Sequence, residues 1–108
     1  MATYEPNLAR IFGALSDPTR LAVVERLVKG PASVSELSEP FDLARPSFLK
    51  HLRVLEEAEL ATSIKSGRVR TVSLAPDALR WVELWVHKHR QALEGNLDRL
   101  ATFLNQEQ

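Results

Sequence analysis

Cysteine is absent from the 108 residues, which excludes disulfides, thiolate metal ligands and a cysteine nucleophile. Metals that favour soft ligands lose their preferred donor with it. No apolar run approaches the roughly 18 residues needed to cross a bilayer, and residues 1–10 lack the basic-then-apolar order of a secretion signal. A cytoplasmic chain with no membrane partner is therefore expected. The four glycines form no phosphate-cradling loop, and none of the three histidines lies beside a carboxylate or serine in a catalytic pattern; no enzyme is expected. Neither sign of charge is in excess, with 14 Lys and Arg against 14 Asp and Glu. A chain that coats nucleic acid through net charge alone is excluded.

What is present suffices for one folded domain spanning 1–108, with 44% hydrophobic and 26% charged residues and no linker or repeat to divide it. Leu8, Ile11, Phe12 and Leu15 recur at helical spacing and define a first helix. Asp17 and Pro18 supply a cap and a first-turn proline for a second, with Leu21, Val24, Leu27 and Val28 as its expected inward stripe. Ser33 and Glu36 have the spacing of a capping box for a short third helix that Pro40 stops. A fourth begins near Pro46, with Phe48, Leu52 and Leu55 inward. Two extended segments, 60–65 and 69–74, flank Ser66-Gly67-Arg68 and predict a hairpin. Pro76-Asp77 then opens a long last helix. The expected fold is mainly α with a small β-hairpin: five helices, the hairpin preceding the last.

Helices three and four, joined by a short turn, have the form of a helix-turn-helix whose second member enters a major groove, with the hairpin as a wing beside it. The basic residues gather there: Arg45, Lys50 and Arg53 on helix four, then Lys65, Arg68 and Arg70 on the hairpin. At 100° per residue, Pro46, Lys50 and Arg53 face away from Phe48, flanked by Ser47 and Leu49. Lysine and arginine can donate to guanine, serine to a base or phosphate, and leucine can touch a thymine methyl. Ser33 and Ser35, at the start of helix three, complete the candidate DNA-binding set, with double-stranded operator DNA as the partner. His51 belongs to it too, although a boundary histidine held by a local hydrogen bond fits the pattern equally.

Ala14-Leu15-Ser16-Asp17-Pro18-Thr19-Arg20-Leu21 and Lys50-His51-Leu52-Arg53-Val54-Leu55 resemble two signatures of the ArsR/SmtB family, with the likeness extending over roughly residues 8–100. The resemblance implies a winged helix-turn-helix and a dimeric repressor that leaves its operator when an effector, often a metal ion, binds. It also exposes departures. The Cys-x-Cys metal pair of the family corresponds to Ser33 and Ser35, and the last helix offers only His87 and His89, two apart and on nearly opposite sides. No metal and no cofactor are expected, and no residue names an effector. Pro46-Ser47-Phe48-Leu49 is similar to a metal-independent subgroup of that family.

A last helix of about 29 residues reaches roughly 43 Å, more than so small a domain can cover. The expected dimer contact comprises Leu8, Ile11 and Phe12 with Leu79, Val82, Val86, His89, Leu93, Leu97, Leu100 and Leu104, arranged about a two-fold axis that calls for a palindromic operator. Two alternatives stand beside this reading: a winged helix used for protein contact, and a repressor with a metal site of unusual composition.

Overall fold

The computed structural model describes residues 5–106. Among them the order is α1 (Glu5–Leu15), α2 (Pro18–Val28), β1 (Ala32–Ser33), α3 (Val34–Ser38), α4 (Arg45–Glu57), β2 (Ala61–Ser66), β3 (Val69–Leu74) and α5 (Arg80–Gln106). The expected five helices and hairpin are all present. β1 is an addition: it pairs antiparallel with β3, Ala32 opposite Val72 and Ser33 opposite Thr71, so the sheet order is β1-β3-β2. Two residues are too few to carry an alternating pattern, which is why the sequence does not announce them.

The caps are the expected ones. Asp17 accepts a hydrogen bond from the Arg20 backbone N–H ahead of Pro18. Ser33 and Glu36 form the reciprocal capping box of α3. Both carboxyls are held below their ordinary pKa, Asp17 chiefly by the Arg20 backbone N–H and Glu36 chiefly by that of Ser33. At the hairpin, Ser66 opposes Val69 across a two-residue turn. Gly67 takes a positive φ of 61° there, as the first position of a II′ turn requires.

α4 ends in a Schellman motif. The Glu59 N–H reaches the Glu56 carbonyl at 3.0 Å and the Leu60 N–H reaches Leu55 at 2.9 Å, with both leucines fully buried. The motif needs a left-handed residue at position 59, and Glu59 sits there with φ 61°. A side chain in that conformation costs about 1–2 kcal/mol, part of which glycine returns through its freer unfolded chain. Glu59→Gly is therefore expected to raise stability by roughly 0.5–1 kcal/mol, read as a higher urea midpoint; a lower midpoint would show that the exposed Asn7–Glu59 hydrogen bond of 3.4 Å matters more than the backbone.

Phe48, Leu52, Leu55, Leu60, Val23 and Val72 are the largest fully enclosed side chains, drawn from α2, α4, the α4–β2 turn and the sheet. The inward stripe of α2 differs from expectation: Val23, Val24 and Leu27 are buried, while Leu21 and Val28 are exposed. With six apolar residues among eleven, α2 permits more than one phase, and packing against α1 and α4 selects it. Leu8 and Ile11, expected in a dimer contact, are buried inside the chain's own core, whereas Phe12 is 39% exposed.

α5 begins at Arg80, three residues after the expected start, because Ala75–Ala78 and Asp77–Arg80 are first closed by i to i+3 turns. Its first turns pack on the core through Trp81 and Val82. Phe12 of α1 then meets Trp85 edge-on at 5.4 Å, and Trp85 meets His89 at 4.5 Å. Beyond these the helix leaves the body. The radius of gyration is 18.9 Å and the longest extent 68 Å, against roughly 13 Å for the radius of a globular chain of this length. Leu93, Leu97, Leu100, Phe103 and Leu104 are each more than half exposed on that projection. No helix among the described residues is long and apolar enough to cross a membrane.

Candidate nucleic-acid interface

Burying Phe48, Leu52 and Leu55 turns the opposite side of α4 to solvent, and with it Arg45, Pro46, Ser47, Lys50 and Arg53, all exposed. Leu49 is half-buried between these two sides. The helix is set against the core by the apolar face, so its basic face is fixed without any polar contact of its own.

The hairpin brings its cations to the same place. Arg45 and Leu49 of α4 line one cleft of about 470 Å³ with Ser63, Lys65, Arg68 and Arg70 of the hairpin. A neighbouring cleft of about 290 Å³ joins Ser33 and Ser35 to Arg45, Arg68 and Arg70. Charges 23 residues apart in sequence thus border a common groove, the arrangement that holds a phosphate backbone beside an inserted helix.

Three candidate residues have other engagements. The Ser33 hydroxyl accepts from the Glu36 N–H as the α3 cap. His51 Nδ1 lies 3.1 Å from Arg20 Nη1. A guanidinium only donates, so His51 Nδ1 is the acceptor in this contact. Arg20 Nε also donates to the Ala14 carbonyl at 2.7 Å, and Asp17 Oδ2 lies 3.8 Å from His51 Nδ1. The Arg20 guanidinium, carried by the first turn of α2, therefore joins the end of α1 to the middle of α4. His51 thus makes the local hydrogen bond that the sequence pattern allowed, with its side chain still 22% accessible. The contact also brings together Asp17, Arg20 and His51 from the two segments that carry the family resemblance.

Arg70 is the third. Its Nη2 donates to Glu56 Oε1 and Oε2 at 3.0 and 2.8 Å, and its Nε to Ser63 Oγ at 3.0 Å. Ser63 in turn donates to Glu56 Oε2 at 2.7 Å. These bonds turn the guanidinium toward α4, while Arg70 still lines both clefts with Arg68. Arg20 and Glu56 were missed by sequence reasoning, because only folding brings them to partners 31 and 14 residues away. The histidines of α5, His87 and His89, are both exposed, with His89 against Trp85.

A buried-faced recognition helix, a short helix before it and a basic hairpin beside it define a winged helix-turn-helix regulator that binds DNA. Comparison with known proteins agrees. A family model described as a helix-turn-helix domain matches residues 15–64. An HTH-type transcriptional regulator of Mycobacterium tuberculosis, Rv2034, is 37% identical over 94% of this chain and 84% of its own. The transcriptional repressor SdpR of Bacillus subtilis is 29% identical over 72% of this chain and 91% of its own. Among solved structures, the ArsR family transcriptional regulator RHA00566 superposes with a TM-score of 0.80 at 47% identity, covering 87% of this chain and 97% of that one. The chain belongs to the ArsR family of winged helix-turn-helix transcriptional regulators, which are DNA-binding proteins and not enzymes.

Proposed function

We propose that this chain acts in the cytoplasm as a homodimeric repressor: a single winged domain that holds a palindromic operator and keeps polymerase from the promoter while bound. The observation that carries the DNA half of this reading is the shared groove of Arg45, Lys65 and Arg68 beside the exposed Lys50 and Arg53. In it Arg45 and Lys50 read base edges, Ser47 and Leu49 add a hydroxyl and an apolar contact, Pro46 sets the helix entry, and Arg53, Ser35, Lys65 and Arg68 hold phosphates.

The dimer half follows from α5. Leu93, Leu97, Leu100 and Leu104 are spaced four, three and four apart, which is the seam of a two-helix contact. All four are more than half exposed in the isolated chain. Pairing this seam with a second copy, continued by Phe12, Leu79, Val82, Val86, Trp85 and His89, buries the projection and sets two recognition helices about a two-fold axis. Half-sites roughly 34–36 Å apart result. SdpR carries repressor in its name, and the steric mode of action suits a protein of this size.

Sedimentation of the wild type and of a Leu97→Glu/Leu100→Glu variant, each then titrated onto the DNA upstream of its own gene, tests this directly. A wild-type dimer, a monomeric variant and at least a roughly hundredfold weaker variant–DNA complex are expected, since a lone half-site loses the linked second contact. A variant that stays dimeric would contradict the α5 seam. A monomeric variant with wild-type affinity would contradict two-fold operator binding.

A further inference from the structure

The Glu56–Ser63–Arg70 network lies at the root of the wing, with one member on each of α4, β2 and β3. Across the hairpin, Arg70 stands opposite Lys65, and sequence alternation alone groups the two as cations on one face. Their surroundings differ. Lys65 is exposed, whereas Arg70 is half-buried and gives Nη2 to both carboxylate oxygens of Glu56 and Nε to the Ser63 hydroxyl. Each of the three residues contacts the other two, so the network is closed. β1 and the buried Val72 seat the base of the hairpin; the three-cornered polar contact adds a tie between its two strands and the helix nearer the wing.

Resting on the DNA-binding reading above, we infer that Arg70 and Glu56 are positioning residues that fix the wing against the recognition helix, and that Arg70 is not a phosphate ligand. Arg70 lines the groove as well, but its donors are taken by Glu56 and Ser63, which leaves Arg45, Lys65 and Arg68 to meet the backbone at a set distance from the base-reading face of α4. An anionic Glu56 beside a DNA-binding groove is otherwise unfavourable, because it repels phosphate. Its bond to Arg70 gives it a use that outweighs that repulsion. The pair is partly exposed, with side chains 34% and 26% accessible, so its main effect falls on geometry rather than on overall stability.

The two roles for Arg70 separate experimentally. Operator affinity across a salt series is measured for the wild type, Glu56→Gln, Arg70→Gln and the double variant, with thermal unfolding followed by circular dichroism as the check on folding. For a brace, each single variant binds roughly three- to thirtyfold more weakly, the double is no weaker than the worse single, and the log–log salt slope is unchanged. For a phosphate ligand restrained by Glu56, Glu56→Gln binds as tightly as the wild type or more tightly, and Arg70→Gln lowers the slope by about one unit. Either of those results overturns the inference. A wild type that fails to prefer its operator over scrambled DNA would instead overturn the functional reading on which it rests.

Discussion

Truncating Phe48 to alanine is expected to lower the unfolding free energy by about 3–5 kcal/mol. The ring is 1% exposed in the middle of the core and stacks on Phe41 with centroids 5.9 Å apart. Its removal loses both transfer free energy and packing contacts, and the ring's neighbours Leu52 and Leu55 are themselves fixed by the helix. A domain of this size is stable by about 5–15 kcal/mol, so a fifth or more of the total is at stake. Function is affected by the same route, because Phe48 lies between Ser47 and Leu49 and its burial sets the roll of α4. Urea titration of the wild type and Phe48→Ala measures the loss. A loss below about 1 kcal/mol would mean that α4 is not seated as described.

The largest expected effect on binding comes from Arg45→Ala/Lys50→Ala. Each side chain is exposed on the recognition face, and a good bidentate base contact is worth about 1–3 kcal/mol. Five residues apart on a helix, they share no partner, so their losses should nearly add. Together they amount to about 2–6 kcal/mol for each half-site, or roughly thirtyfold to twenty-thousandfold in affinity. Thermal stability should stay within about 0.5 kcal/mol of wild type, as neither residue contributes to the core.

How far the sequence reveals this depends on the range of the interaction involved. Local chemistry is plainly legible. Asp17-Pro18, Ser33 with Glu36, and Gly67 in its turn each act within three residues, and the structure uses them as caps and turn. The recognition helix is legible because its apolar face is narrow: Phe48, Leu52 and Leu55 leave little choice of phase. α2, apolar over much more of its circumference, is phased only by its neighbours, and Leu21 and Val28 turn outward. Side-chain networks between distant elements leave no local trace. The Arg20 contact to His51 and the Glu56 contact to Arg70 each give a candidate DNA-binding residue an intramolecular partner that the sequence does not announce. Glu59 is another such case, since only the Schellman geometry shows that position 59 needs a left-handed backbone.

The most direct test of operator reading by α4 is a salt series on the DNA upstream of its own gene and on scrambled DNA, comparing the wild type with Arg45→Ala/Lys50→Ala in the presence of competitor. The predicted result is a wild type that prefers its own sequence, with affinity falling linearly on a log–log salt plot, and a variant that keeps weak binding to both DNAs but loses the preference. Equal, weak binding of both DNAs by the wild type, matched by the variant, would contradict the account and turn the search to a protein partner for the same face.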